Sequence, residues 1–236
     1  MILSIGGSTY TTFWDQALST NATQLGINAA NTAKAMGVGI EIDYENDTNP
    51  NLTGLQDFIT AYRSVLPYDA TGSNPAARLI IDLAAGDRSL DAINRKAATD
   101  WLTAGNPVLD YANATVPNGQ PTASGAVSNW QEHVMGRTNI SVPIPPLAPA
   151  KVTVAVRVVL GSTPQPECND FSASLQNSTG IFVANVAPAG AGASPGLLGY
   201  MFWGVEAQHP TTCEGGVGVG ARNYNIRIPM PPLRQQ

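Results

Sequence analysis

The sequence predicts an α/β fold built round a parallel sheet, and three observations carry that expectation. Short apolar runs alternate with helical patterns along most of the 236 residues. Such alternation produces right-handed β-α-β units, whose strands run parallel. Hydrophobic residues make up 43% of the chain, enough for a sizeable core. The texture changes only at the end, so two parts are expected: residues 1–208 with the alternating pattern, and a Gly/Pro-rich extension over 209–236. The final IRIPMPPLRQQ reads as extended and irregular.

In chain order, Ile2-Leu3-Ser4-Ile5 reads as a buried strand stopped by Gly6-Gly7. A helical pattern follows from Asp15 to Met36, with small residues such as Ala29, Ala30 and Ala33 for packing. Val38 to Tyr44 is the next strand. Thr53 is placed to cap a helix whose apolar positions Leu55, Phe58, Ile59, Tyr62, Val65 and Leu66 fall three to four apart. Arg78 to Ala84 is a third strand, Asp91 to Leu102 a helix, and Val108 to Ala112 a short fourth strand. Residues 115–150 are loop-rich, with Pro117, Pro121, Pro143, Pro145, Pro146 and Pro149. They include a helix over Ser124 to Met135. Lys151 to Leu160 and Leu197 to Glu206 complete six strands, separated by an ambiguous Phe171 to Val186 and a small-residue loop, Ala187 to Pro195.

Charge narrows the function. Only 12% of residues are charged, and the net charge is -5. A nucleic-acid partner would call for a basic patch, so an uncharged or weakly acidic ligand fits better. No run reaches the roughly 18 apolar residues that span a bilayer. Asn-x-Ser/Thr occurs at Asn21, Asn46, Asn51, Asn113, Asn139 and Asn177. These are acceptors for N-glycosylation in a secreted chain, and they set the expectation of a secreted glycoprotein. Cys168 and Cys213 are compatible with one disulfide or with two thiols. His133 and His209 are isolated, and no Cys/His spacing suggests zinc. Met1 leads directly into a strand-like run, so the expected chain is a fragment whose true beginning lies upstream.

One stretch contradicts the rule that buried parallel strands are apolar. Gly39-Ile40-Glu41-Ile42-Asp43-Tyr44-Glu45 carries three acids at alternate positions. On a strand, Glu41, Asp43 and Glu45 share one face, while Ile40, Ile42 and Tyr44 point the other way, toward helices. Acids two apart lie about 6.5–7 Å from one another along the backbone. In a partly dry setting they cannot all ionise easily, so at least one pKa rises. A raised carboxyl pKa is what a general acid working near neutrality needs. Glu45, last in the row, lies nearest the C-terminal mouth and is the candidate donor. Clustered acids also suit a divalent cation, but no further oxygen ligands announce themselves. Asp82 and Asp87 are candidates to line the mouth. The glycine run 215–220 neither follows a strand nor opens a helix, which excludes a phosphate loop.

These residues resemble a known family. Ser4-Ile5-Gly6-Gly7 is similar to the S-x-G-G of the third barrel strand in family 18 glycoside hydrolases, the chitinase-like enzymes. Val38 to Glu45 resembles their D-G-x-D-x-D-x-E, and Gly199-Tyr200-Met201-Phe202-Trp203-Gly204 resembles their eighth strand. The resemblance implies a (β/α)8 TIM-type barrel lacking its first two strands within residues 1–208. It implies substrate-assisted retaining hydrolysis of β-1,4 bonds between N-acetylglucosamine units, an exception to the two-carboxylate scheme. Glu45 would be acid and base, Asp43 the stabiliser of the acetamido group, and Glu41 its electrostatic neighbour. Gly6, Gly7, Tyr44 and Met201 would contact the sugar and Trp203 would floor the site; no cofactor or metal is implied. The expected partner is chitin or a related glycan, with a second chain able to cover an open barrel edge.

Departures accompany the match. Val38 and Glu41 stand where the family has aspartates, and Pro117-Asn118 stand where it has the Tyr-Asp pair of its sixth strand. The alternatives are therefore a non-catalytic carbohydrate-binding protein on the same scaffold, or a structural secreted glycoprotein.

Overall fold

The computed structural model describes residues 1–84, 90–103, 108–115, 123–157 and 200–203. They form a single six-stranded sheet in the order β1-β2-β3-β4-β5-β6, every neighbouring pair parallel. The strands are β1 Ile2–Gly6, β2 Gly39–Asp43, β3 Leu79–Ala84, β4 Ala112–Thr115, β5 Val152–Arg157 and β6 Tyr200–Trp203. The α/β class and the parallel sheet are thus as expected. Expectations for Asp87, Pro117, Asn118, Cys168, Asn177, His209, Cys213, residues 171–195 and the 209–236 extension lie outside the described residues.

Strand parity divides the sheet into two different faces. Ile40, Ile42, Tyr44, Leu79, Ile81, Leu83, Ala112, Ala114 and Val152 belong to one hydrophobic core with helical residues Trp14, Leu18, Leu55, Phe58, Ile93 and Trp101. Sequential strand order sends successive crossovers over one side of a sheet, and here the helices collect on that apolar face. The residues between them in the strands, Glu41, Asp43, Ile80, Asp82, Asn113 and Thr153, occupy the other face.

The long helical pattern breaks in two, α1 Thr11–Thr20 and α2 Ala22–Met36. Asn21 leaves helical geometry between them, its N–H still bonded to Ala17 O. Asn competes for local hydrogen bonds and favours helix ends, a signal that the apolar periodicity hid. Gly37, at φ 67°, closes α2 in the left-handed conformation that glycine adopts cheaply. Helix α3, Leu52–Val65, is capped by Asn51 rather than Thr53: its side chain accepts the Gly54 N–H at 2.9 Å. Helices α2 and α3 pack closely because Gly26 lies against Phe58 O, with Ala29, Ala30 and Ala33 buried nearby. Trp14 meets Phe58 edge-on at 5.5 Å.

Helix α4, Asp91–Lys96, widens into a π turn over Ala97–Trp101. After it, β4 starts at Ala112, four residues later than the expected Val108. The reason is that Val108 and Leu109 both direct their N–H groups back to Trp101 O. Asp110 then uses its side chain, accepting the Leu79 N–H at 2.8 Å and pairing with Arg63 at 3.0 Å. Helix α5, Ala123–Met135, is held to the sheet by Trp130 Nε1, which donates to Val152 O. Among the described residues no helix is long and apolar enough to cross a membrane.

Candidate active site

The site forms where the C-terminal ends of β1 and β2 meet. Gly6 pairs in register with Asp43, and the Gly7 N–H donates to Asp43 O at 2.9 Å. Both glycines have positive φ, 130° and 103°. A Cβ on Gly6 would stand 1.9 Å from Asp43 O and 2.5 Å from Trp14 Nε1, whereas one on Gly7 would meet only Asp43 Oδ2 at 3.6 Å. The Gly-Gly pair therefore brings β1 against the end of β2 and sets Gly7 beside the Asp43 carboxyl.

Burial along β2 follows the predicted alternation. Ile40 and Ile42 are fully buried, and Glu41, Asp43 and Glu45 are half-buried on the opposite face. The acid row is thus turned away from the helices yet is not in bulk water. Asp43 shows the consequence: its carboxyl pKa is pushed from 3.8 up to about 7. Burial contributes most, followed by repulsion from Glu45, repulsion from Glu41, and a hydrogen bond with the Glu45 side chain. A protonated carboxyl donating to a carboxylate is how two neighbouring acids share one proton. Asp43 Oδ1 is buried and has no hydrogen-bond partner among the described residues. The main chain at Glu45 is pinned by Thr11, whose hydroxyl donates to Glu45 O at 3.3 Å.

Deeper in the same face, the Asn113 amide donates from Nδ2 to Glu41 Oε1. Asn113 Oδ1 accepts the Thr153 hydroxyl at 2.7 Å. Asp82, in register with Asn113, is buried beside them. Tyr111, just before β4, has its phenol pKa raised by burial, with the charge of Glu41 adding to the shift.

Several expected roles are corrected. Tyr44 is 1% exposed and belongs to the helix-facing core. Its hydroxyl donates to Asp15 Oδ1 and accepts the Asn51 N–H at 2.9 Å, so it cannot face a sugar. Asn113 is 6% exposed inside β4, where a glycan has no room. Asn46 and Asn51 are half-buried and engaged, one donating to both Asp15 oxygens and the other capping α3. Asn21 and Asn139 are exposed. For Met201 and Trp203 the backbone alone is described: they pair in register with Ala155 and Arg157 of β5. Sequence reasoning missed Asn113 and Thr153 as site residues, although each is a polar interruption of an apolar strand.

Comparison of the chain with protein-family models, with curated proteins and with solved structures finds no match. The resemblance to family 18 hydrolases rests on the motif residues alone.

Two buried groups give opposite pH dependences. Asp43 binds its proton more tightly folded than unfolded, so its contribution to stability is full below about pH 4 and is lost as pH rises through about 7. His133, buried in α5, is pushed from 6.5 down to about 4, first by burial and then by the charge of Arg137. Its contribution is full above pH 6.5 and is lost as pH falls toward 4. Thermal melts of the parent and of Asp43→Asn across pH 4–8 separate the two. The variant is expected to gain stability relative to the parent as pH rises from 4 to 7, and a pH-independent difference would contradict the assignment.

Proposed function

We propose that the chain is a secreted glycoside hydrolase that cleaves β-1,4 linkages between N-acetylglucosamine units, on a sheet that forms part of a (β/α)8-type barrel wall. The observation that carries the proposal is the Asp43–Glu45 pair, two half-buried carboxyls at the C-terminal end of a parallel sheet, with the Asp43 carboxyl pushed up to about 7. Parallel barrels place their chemistry at that end. Sequential strand order supports the barrel, and so does the Glu41–Asn113 bond, which joins β2 to β4 across β3. Alternate strands supply each side-chain layer in such barrels.

In the proposed reaction the sugar's acetamido oxygen attacks its own anomeric carbon. The bond from that carbon to the glycosidic oxygen breaks, and Glu45 gives its proton to the departing oxygen. Asp43 accepts the acetamido N–H and offsets the positive charge that develops on the ring formed. Water then attacks the same carbon from the vacated side, the bond from that carbon to the acetamido oxygen breaks, Glu45 takes a proton from the attacking water, and two inversions give net retention. The proton that Asp43 holds at rest passes along its hydrogen bond to Glu45 before the linkage breaks, so the pair carries one proton before the first step, none in the intermediate and one again after the second.

Incubation of the protein with a fluorogenic chitooligosaccharide tests this directly. Release of the fluorophore with retained anomeric configuration supports the hydrolase. Binding of the oligosaccharide without release would replace it with the carbohydrate-binding reading, which the departure at Val38 favours. Neither binding nor release would overturn both.

A further inference from the structure

We propose that Asn113 and Thr153 are positioning residues for the acid pair, forming a buried relay from β5 through β4 that holds the Glu41 carboxylate in one orientation beneath Asp43. The inference rests on the reading of Asp43 and Glu45 as the proton-sharing site and extends it to two residues outside the acidic motif.

The chemistry of the three side chains dictates the direction of the relay. The Thr153 hydroxyl donates to Asn113 Oδ1 at 2.7 Å, closer than its 3.5 Å approach to Ala112 O. A hydroxyl can donate or accept, so the amide's direction is set at its other end. The Glu41 carboxylate only accepts, which turns the Asn113 NH₂ group toward β2 to donate to Glu41 Oε1 and leaves Oδ1 to take the Thr153 proton. The reversed amide would set oxygen against carboxylate, two acceptors with no proton between them. Glu41 Oε1 is therefore held as an acceptor, and the side chain cannot swing toward solvent without leaving a buried N–H unpaired, a loss of the kind buried polar groups avoid.

The position matters because Glu41 lies two residues below Asp43 on the same face, and its charge is one of the causes of the raised Asp43 pKa. Among the residues whose side chains are described, the other acidic or phenolic groups on this face are Glu45 at the end of the β2 segment, Asp82 on β3 and Tyr111 ahead of β4. Arg78 acts on Tyr111. From β1, Ser4 and Gly6 pair with Glu41 and Asp43 and bring no charge. None of these groups replaces the donor that Asn113 supplies. Asn113 and Thr153 are 6% exposed each, which keeps water from substituting for them. Their presence also explains two polar residues in strands that the fold otherwise requires to be apolar.

The test titrates Asp43 in the full chain by carboxyl ¹³C NMR, with no substrate present. Thr153→Val keeps the volume and removes the hydroxyl; Thr153→Ser restores it; Asn113→Leu removes the donor to Glu41. Expected are downward shifts of the Asp43 midpoint by about half a pH unit or more in Thr153→Val and Asn113→Leu, with Thr153→Ser at the parent value. An unchanged midpoint in folded Thr153→Val, whether or not its melting temperature falls, would overturn the relay and leave only a packing role. If Asn113→Leu does not fold, the Val/Ser pair at Thr153 decides alone. Because the readout needs no turnover, a chain that fails to cleave chitooligosaccharide can still show the relay. A chain that cleaves it can still lack the relay.

Discussion

Glu45→Gln is expected to lower chitooligosaccharide turnover by about 10²–10⁴-fold, the contribution of a positioned general acid. Gln has nearly the same size and can still hydrogen-bond, but it has no proton to transfer to a leaving oxygen. The half-buried position of Glu45 and its side-chain contact with Asp43 make this a local change. Stability should accordingly stay within about 1 kcal/mol of the parent. A second readout accompanies the first. Repulsion from Glu45 is the second-largest cause of the raised Asp43 pKa, so the Asp43 midpoint should fall in the variant. Turnover within tenfold of the parent would remove Glu45 from the reaction, and an unmoved Asp43 midpoint would separate the two carboxyls.

Gly6→Ala is expected to cost about 3–5 kcal/mol, combining the strain of a non-glycine residue at φ 130° with overpacking. The nearest atom to the new methyl group is backbone, Asp43 O at 1.9 Å, which cannot move without opening the β1–β2 ladder. The Trp14 indole, 2.5 Å away, is itself buried against Phe58 and Tyr44. A typical domain has only about 5–15 kcal/mol of stability in total, so a large share would be lost. Gly7→Ala is the matched control, since its methyl group meets nothing closer than 3.6 Å and carries the backbone strain alone. Urea unfolding midpoints should rank the parent first, Gly7→Ala next and Gly6→Ala far below. Equal losses would mean that strain, not the close strand approach, sets the requirement for glycine.

The polar face of the sheet could be found from sequence only in part. GIEIDYE stood out because three acids interrupt one strand, and their spacing of two placed them on a common face. Asn113 in ANAT and Thr153 in VTVAVR break the same rule singly, and a single polar residue in a short strand has many ordinary explanations. Asn113 also lies in an Asn-x-Thr triplet, which pointed outward to glycosylation while the structure buries it. Tyr44 erred the other way. The family resemblance implied contact with a sugar, but period two sends it to the helix side, where Asp15 and Asn51 satisfy its hydroxyl.

Local preferences were legible in the sequence: where apolar runs make strands, that a helical pattern stops at Met36, and which side of β2 carries the acids. These depend on neighbours within a few residues, through backbone sterics and the period of the side chains. Tertiary structure alone decided that Asn113 and Thr153 lie beneath the acid row, and that Asp43 is the carboxyl driven upward. Both outcomes depend on which strands become neighbours and how much water is removed between them. The energy of a charge is set by its three-dimensional surroundings, in which residues 41, 113 and 153 are adjacent although 72 and 40 positions separate them along the chain.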